Sequence, residues 1–554
     1  MTPPRPSSAE ARSAKAEGSR RAGALIPLFS IPSSRSWGIG EIGDIEAIVR
    51  WLDASGIRIL QLLPINEMPP GETSPYSALS AMAIDPQFIT LDRVEDFAEI
   101  GGEGALEPEL RSRLDAVRTA PRIQYAEVRA LKDIALRRCF ARFQDVDLAR
   151  GTRRAAAFGA YVEEDGWWLN DYALFRALHA QHGERAWFDW PEALSCRRAD
   201  ALDRARAELA GEIRFRQYVQ WLAGGQWQAA REQTGDVALF GDLPFMVSGD
   251  SADVWARQDE FRMDASVGVP PDAFSETGQD WKLPVYRWDV LAERDFDWLR
   301  DRAHRNADLF DGYRVDHLVG FYRTYYRPHD GSPARFIPEE EDEQRALGER
   351  VLSVFREPGS EIIAEDLGVV PDFVRASLAR LSIAGYKVFR WERHWHTEGQ
   401  PFKDPVEYPA VSVATSGTHD TEPMVIWWED IPREEREAVL AIPSVGALLT
   451  EEDLAAVDAP GLPHAIHEAL LETLFAAGSD TLILPIGDIF GWRDRINQPA
   501  TVSEGNWTWR LPWPSDRMST EPAAMEVAKQ LAQWCARHGR TTPASGFSPR
   551  NLSA

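Results

Sequence analysis

The sequence predicts an α/β fold, a (β/α)8 TIM barrel with helical insertions between the barrel strands. Eight short apolar runs have strand character, and most of them are separated by helix-sized intervals. The runs are apolar almost throughout, which is typical of parallel strands covered on both faces. The competing fold is a doubly wound open sheet, but no phosphate loop is present, which weakens its nucleotide-binding version.

The chain opens with a βαβ unit. The first strand is predicted over 24–28, and a second strand over 57–65. Between them, four apolar residues recur at helical spacing before Ser55 and Gly56: Ile45, Ile48, Val49 and Leu52.

The other six strands follow the same rhythm. They are predicted over 237–245, 312–318, 361–367, 386–391, 411–415 and 481–486. The long stretch before the third strand has helical patterns, for example over 169–180 and 214–230, and is interpreted as an insertion. Pro371 is predicted to open a helix that ends before Gly385.

These patterns predict the domain organisation. Residues 1–21 are predicted to be a disordered lead-in, and 22–515 the catalytic barrel. The barrel is interrupted by a mainly helical insertion at about 90–232 and by further loop insertions at about 246–300. Residues 516–554 are predicted to form a C-terminal helix and a tail that packs on the barrel.

Composition limits which binding partners and which cellular location are expected for the protein. The formal net charge of −26 disfavours nucleic acid and anionic membrane surfaces as partners. The cysteines, Cys139, Cys196 and Cys535, lie far apart without metal-ligand spacing, so neither a disulfide framework nor a zinc site is predicted. No signal peptide and no membrane-spanning run is apparent, so the location predicted is cytoplasmic. The sequence does not indicate the oligomeric state.

Three acids follow predicted barrel strands. Asp316 follows the fourth strand, Glu365 ends the fifth, and Asp420 follows the seventh. Parallel strands deliver their C-terminal ends to one face, so these carboxyls are expected to converge. Close carboxyls push their pKa values apart, and a retaining glycosidase needs one protonated and one ionised carboxyl roughly 5 Å apart. Arg314 points to the same side of its strand as Asp316 and is expected to bind it.

Simpler interpretations stay open for single residues. Asp316 could merely cap a helix after its strand. His317 and His419 could contact sugar hydroxyls, or serve as structural hydrogen-bonding residues. Metal binding finds no support, because Asp316, Asp420 and the histidines come from different strands and lack the helical H-E-x-x-H spacing.

Longer blocks make the sequence resemble a known family. Gly-Tyr-Arg-Val-Asp316-His, Ala-Glu365-Asp-Leu-Gly and Gly-Thr-His419-Asp420 resemble the α-amylase superfamily, and within it the 4-α-glucanotransferases called amylomaltases or disproportionating enzymes. The more specific blocks are Trp37-Gly-Ile-Gly-Glu-Ile-Gly43, Ser74-Pro-Tyr76-Ser-Ala-Leu-Ser-Ala, Gly241-Asp242-Leu-Pro, Asp250-Ser-Ala-Asp-Val-Trp255 and Gly268-Val-Pro-Pro-Asp272-Ala-Phe274-Ser-Glu-Thr-Gly-Gln279-Asp-Trp281. The resemblance covers roughly residues 22–515.

The resemblance implies a role for each candidate. Asp316 would be the nucleophile that forms a covalent glycosyl-enzyme, Glu365 the general acid and then base, and Asp420 the stabiliser of the oxocarbenium-like transition state. The donor-side residues implied are Arg314, His317, His419, Asp242, Tyr76 and Asn497, with Ser74 as a further substrate-binding candidate. The acceptor-side residues implied are Trp281, Asp272, Phe274 and Gln279.

The resemblance also implies the reaction. The enzyme would move segments of α-1,4-glucan or maltooligosaccharide donors to glucose or another glucan, without cofactor or metal. Two alternatives stay open, an α-glucan hydrolase on the same fold and a non-catalytic glucan-binding protein. Residues 268–284 are predicted to be the loop that keeps water away from the intermediate.

Three short segments depart from the family pattern. The usual Phe-Arg-Gly-Phe after the nucleophile and histidine is Leu318-Val-Gly-Phe321, and the usual Trp-Gly-Asn-Pro is Trp281-Lys-Leu-Pro284. A Tyr-Phe pair is reduced to Ala273-Phe274. None of these changes touches the three acids, so they bear on acceptor preference.

Overall fold

The computed structural model describes residues 20–271, 278–499, 501 and 503–541. Twelve strands lie in this part of the chain, numbered in chain order: β1 Arg21–Leu25, β2 Ile59–Gln61, β3 Ala238–Leu243, β4 Phe261–Val269, β5 Gln279–Tyr286, β6 Gly312–Val315, β7 Thr324–Pro328, β8 Arg335–Ile337, β9 Glu361–Ala364, β10 Ala384–Val388, β11 Ser412–Thr415 and β12 Thr481–Pro485.

Eight of these strands close into a parallel barrel, which confirms the predicted fold class. Their order around the barrel is β1-β12-β11-β10-β9-β6-β3-β2, and β1 also pairs with β2. Every residue of β3, β6, β11 and β12 is buried, because the strands are covered from inside and outside. The closed parallel arrangement excludes the open sheet.

The first predicted strand was displaced by three residues. β1 begins at Arg21 and ends at Leu25, whereas 24–28 was predicted. Pro27 has no N–H to give to a ladder, and Leu28–Ser30 forms a 3-10 turn instead. The lead-in predicted over 1–21 lies outside the described residues up to residue 19, and Arg21 already belongs to the barrel.

The α-helices fill the intervals between strands. They span Ile45–Ala54, Glu95–Glu99, Pro108–Thr119, Tyr125–Phe143, Arg153–Glu164, Gly166–Gln181, Glu192–Ser195, Ala199–Glu208, Ala210–Glu232, Ala252–Ala256, Trp288–Glu293, Asp297–Leu309, Glu341–Arg356, Asp372–Arg380, Met424–Asp430, Arg433–Leu440, Pro443–Gly446, Glu451–Ala455, His464–Ala476, Ile486–Phe490 and Pro522–Arg537. None of the described helices is long and apolar enough to cross a membrane.

Helices between β2 and β3 are tied to the loop that follows β2. The anchor is Glu67, which is almost fully buried. Its carboxylate accepts a hydrogen bond from Tyr172 and another from Nε of Arg176 at 3.0 Å, both on the helix Gly166–Gln181. The division into a barrel over 22–515 with an insertion at about 90–232 stays a prediction, and these contacts show how that region is fastened.

A second sheet, which the sequence analysis did not predict, stands between β3 and β9. It is antiparallel in the order β5-β4-β7-β8. β4 and β5 lie within the segment treated as loop insertions over 246–300. The sheet extends from the C-terminal side of β3 and β6, so it borders the face where the acids lie.

The C-terminal end of the described chain closes the barrel seam. Arg540 is fully buried and donates hydrogen bonds to five backbone carbonyls, those of Phe475, Ala477, Ser479, Asp480 and Arg21, at 2.7–3.3 Å. No carboxylate in the described part of the chain accepts a hydrogen bond from it, and burial lowers its pKa to about 9. One side chain therefore supplies hydrogen-bond donors to backbone carbonyls in the segment before β12 and at the start of β1.

We expect Arg540→Met to lower the free energy of unfolding by about 3 kcal/mol or more, because the buried carbonyls lose their donor. The midpoint of urea unfolding measures the change. Arg537→Met is the matched control, since Arg537 is more than half exposed and its partner, the buried Glu472, keeps a contact with His538. That change should cost below about 1 kcal/mol, and equal losses in both variants would contradict the assignment.

Candidate active site

The structure brings the three predicted acids to one face of the barrel. Asp316 directly follows β6, Glu365 directly follows β9, and Asp420 lies five residues after β11. The backbone N–H of Asp316 donates to Leu243 at 2.9 Å and that of Glu365 to Val315 at 3.0 Å, so the barrel ladder continues to the acids. Their positions are therefore fixed by the sheet.

Arg314 joins Asp316 to the neighbouring strand. Its Nη2 donates to Oδ1 of Asp316 at 2.7 Å, and its Nη1 lies 2.8 Å from both carboxylate oxygens of Asp242. Arg314 and Asp242 are register partners on β6 and β3. Asp316 retains 31% of its side-chain exposure, whereas Asp242 has none, so Asp316 is the acid a substrate can reach.

Glu365 is held by two backbone donors. The N–H of His317 donates to its Oε2 at 2.8 Å, and the N–H of Leu367 to its Oε1 at 3.0 Å. Burial raises the pKa of Glu365 to about 7, helped by the charge of Asp316 and opposed by Arg314 and the two N–H donors. This carboxyl keeps a proton near neutral pH.

Asp420 has the opposite electrostatic environment. Burial acts to raise its pKa, but His419 and Asn497 overcome burial and hold the pKa well below the usual range. Nδ2 of Asn497 donates to Oδ1 of Asp420 at 2.6 Å, and Nε2 of His419 lies 3.3 Å from Oδ2. Arg495 fastens the pair by donating to the backbone carbonyls of Asp420 and Asn497. Asp420 therefore stays ionised.

Tyr76 connects the donor-side residues. Its hydroxyl donates to Oδ2 of Asp242 at 2.8 Å and lies 3.1 Å from Nε2 of His419. The rings of Tyr76 and His419 stack at 5.5 Å between centroids, and Trp507 packs against both. Ser74 lies two residues from Tyr76 and accepts its backbone N–H at 3.4 Å, so it supports the loop.

The acceptor-side candidates are brought together only in part. The ring of Trp281 meets His317 edge to face at 4.8 Å, and its Nε1 donates to Oε1 of Gln279 at 3.0 Å. Phe245 packs against both rings. Burial lowers the pKa of His317 to about 4, so its side chain is neutral. Asp272 and Phe274 lie outside the described residues.

Sequence reasoning missed three residues that complete the site. Arg495 and Trp507 come from the segment after β12, and Phe245 lies two residues after the end of β3, the strand that carries Asp242. Arg495 stands two residues before Asn497, so its proximity to that candidate was an available signal. Within the described ranges, no cluster of His, Cys, Asp and Glu side chains could hold a metal ion.

Comparison with known proteins identifies the family. The sequence profile of the 4-alpha-glucanotransferase family matches residues 26–516. The chain belongs to this family. The 4-alpha-glucanotransferase of Chlamydia pneumoniae is 32% identical over 505 residues, covering 88% of this chain and 91% of the relative. That of Thermus thermophilus is 32% identical over 512 residues, covering 89% and 95%.

A solved structure extends the likeness to the fold. Amylomaltase from Streptococcus agalactiae, in complex with acarbose, superposes with a TM-score of 0.78 at 26% identity, covering 94% of this chain and 99% of that one. This 4-alpha-glucanotransferase therefore carries out glucan transfer on the barrel predicted for it.

We expect kcat/KM of this 4-alpha-glucanotransferase for an α-1,4-glucan donor to fall as the pH rises through about 7. The raised pKa means that Glu365 is protonated below that pH and loses its proton above it. Cleavage that depends on this proton should lose about tenfold in rate per pH unit above 7. The measurement is a pH profile of kcat/KM with maltotriose.

A fluoride donor supplies the control. Fluoride leaves α-maltosyl fluoride without being protonated, so fluoride release should not show this alkaline decline. A maltotriose profile that stays flat to pH 9 would contradict the raised pKa of Glu365.

Proposed function

We propose that the enzyme moves segments of α-1,4-glucans or maltooligosaccharides to glucose or another glucan by a retaining double displacement at Asp316 and Glu365. One observation carries this proposal. Asp316 is bound by the guanidinium of Arg314, while the adjacent Glu365 has a pKa near 7. An ionised nucleophile beside a protonated acid is the division of labour that the reaction needs.

In the first step Asp316 attacks the anomeric carbon of the donor sugar. Its carboxylate oxygen forms a C–O bond while the glycosidic C–O bond breaks. Glu365 gives its proton to the departing glycosidic oxygen, so the leaving glucan carries a neutral hydroxyl. The products of this step are a covalent glycosyl-enzyme and an ionised Glu365.

Asp420 stabilises the positive charge that develops on the sugar during cleavage. Its low pKa keeps it anionic throughout the reaction. Asn497 and His419 hold this carboxylate, and Tyr76 lies between His419 and Asp242. These polar side chains are placed to bind the hydroxyls of the donor sugar and to orient the ring.

In the second step an acceptor hydroxyl replaces the departed glucan. Glu365, now ionised, removes the proton as the oxygen attacks the anomeric carbon and the bond to Asp316 breaks. Water could enter in place of the sugar, and an aromatic surface that binds the acceptor favours transfer. Trp281, Gln279, Asp272 and Phe274 are proposed to form that surface.

Carboxyl groups carry every proposed step, so the reaction requires no metal or organic cofactor. A cytoplasmic location is proposed because the free cysteines Cys139, Cys196 and Cys535 are compatible with a reducing compartment. A potato relative, 29% identical, is described as chloroplastic or amyloplastic, so the family is not confined to one compartment.

The test of the function uses maltotriose alone. We expect glucose and a ladder of longer maltooligosaccharides, with the number of reducing ends unchanged, because each transfer breaks one glycosidic bond and forms another. Separation of products by length, with glucose and reducing-end assays, measures this. Rising reducing ends without longer products would instead make the enzyme a hydrolase, and unchanged maltotriose would support a binding protein.

The catalytic roles are tested by substitution. We expect Asp316→Ala and Glu365→Gln each to reduce transfer by several orders of magnitude while leaving the fold intact, because each removes a group that makes or breaks bonds. Kinetics with maltotriose and circular dichroism measure both effects. Glu343→Gln, at an exposed position in the first turn of the helix Glu341–Arg356, is the control and should transfer like the wild type.

The two variants should differ with a donor that needs no acid. The first equivalent of fluoride per enzyme should be released from α-maltosyl fluoride by Glu365→Gln, because fluoride leaves unprotonated, and should stay lost in Asp316→Ala, which has no nucleophile. Near-wild-type transfer in either variant would overturn the assignment.

A further inference from the structure

The strand that carries Trp281 leaves its ladder for two residues. In the antiparallel pair of β4 and β5, Val267 lies opposite Leu283, and Gly268 lies opposite Asp280. Regular pairing would continue from Leu283 without interruption, so residues 281–282 have no partner on β4. This is a β-bulge, a feature that redirects a side chain at the edge of a site.

Lys282 gives the bulge its shape. Its φ of 58° lies in the left-handed region, and no other non-glycine residue within a described strand has a positive φ. A residue with a Cβ atom pays a conformational penalty there, which glycine does not. The usual glycine of the Trp-Gly-Asn-Pro pattern is therefore replaced by a residue that needs outside support.

Asp280 supplies that support. Its Oδ1 accepts hydrogen bonds from the backbone N–H of Lys282 at 3.0 Å and from Oγ of the buried Ser266 at 2.7 Å. Its Oδ2 accepts from Nζ of Lys282 at 2.5 Å. Burial acts to raise the pKa of Asp280, but these donors lower it to about 2, so the carboxylate is ionised at neutral pH.

Close packing on β4 completes the arrangement. A Cβ atom on Gly268 would lie 2.0 Å from the carbonyl oxygen of Gln279, so only glycine allows the strands to approach here. The looped-out Trp281 then packs edge to face on His317, next to Asp316 and the N–H that binds Glu365. The bulge thus sets where this indole stands relative to the acids.

We propose that Asp280 is a positioning residue for the transfer reaction, which through Ser266 and Lys282 holds the bulge that places Trp281 on the acceptor side. This rests on the proposed function, since Trp281 is assigned there to acceptor binding. Asp280 makes no contact with the acids among the described hydrogen bonds, so it acts on acceptor capture and not on formation of the glycosyl-enzyme.

The experiment separates the two steps of the reaction. α-Maltosyl fluoride serves as donor and ¹⁴C-glucose as acceptor. The initial burst of fluoride without acceptor, up to one equivalent per enzyme, reports the first step, and the glucose concentration at which half of the glycosyl-enzyme is transferred, not hydrolysed, reports acceptor capture. Asp280→Ala is compared with the wild type and with Asp264→Ala, an exposed acid on β4 of the same sheet.

In Asp280→Ala we expect the half-transfer concentration of glucose to rise about tenfold or more, since small displacements of a positioning group cost at least that much. The rate of the initial fluoride burst without acceptor should stay within about twofold of the wild type. Asp264→Ala should leave both quantities unchanged. Adding Lys282→Gly to Asp280→Ala should restore most of the acceptor capture, because glycine adopts the required φ without the carboxylate.

Asp280→Asn covers the case in which the alanine variant does not fold, since asparagine keeps the size of the side chain and one acceptor oxygen. The half-transfer concentration of glucose should rise less in this variant than in Asp280→Ala. Unchanged acceptor capture in the folded Asp280 variants, beside a wild type that transfers, would overturn the role of Asp280 alone. A wild type that releases fluoride but never transfers to glucose or a longer glucan would overturn the proposed function, and the acceptor role with it.

Discussion

The active face depends on one buried guanidinium. Arg314 is buried, so its charge is tolerated because Asp242 and Asp316 accept hydrogen bonds from it. Asp242 is in turn bound by Tyr76, which reaches His419 and through it Asp420. Three barrel strands are therefore tied together by one polar network. The hydrogen bonds that stabilise the buried charge of Arg314 therefore also fix the positions of the catalytic acids.

The barrel was predictable because its signal is local. Strands such as β3 and β12 are buried on all sides, so each reads as a short apolar run. The sheet of β4, β5, β7 and β8 lacks that signal. Three successive exposed residues interrupt β4, and the bulge at Lys282 breaks the alternation of β5. Its order also joins strands that are distant in sequence, which no periodicity reports.

The active site was also predictable where its signal lies in the local sequence. The three acids are marked by their position after apolar strands, and the glucan-binding residues followed from resemblance to a family. What could not be deduced is electrostatic. The raised pKa of Glu365 depends on its burial and on Asp316, which belongs to another strand. Trp507 reaches His419 from a loop after β12, and only the folded chain brings them together.

The barrel can close only after almost the whole chain has been synthesised. β1 is completed on one side by β2, but its other neighbour is β12, near residue 485. At typical rates of synthesis, the intervening chain takes on the order of a minute to make. Throughout that period one edge of β1 has no partner, and once β11 has been made, the β11 edge that β12 will cover is open as well. A chaperone that shields strand edges during translation would therefore protect this chain more than one whose first and last strands are not neighbours.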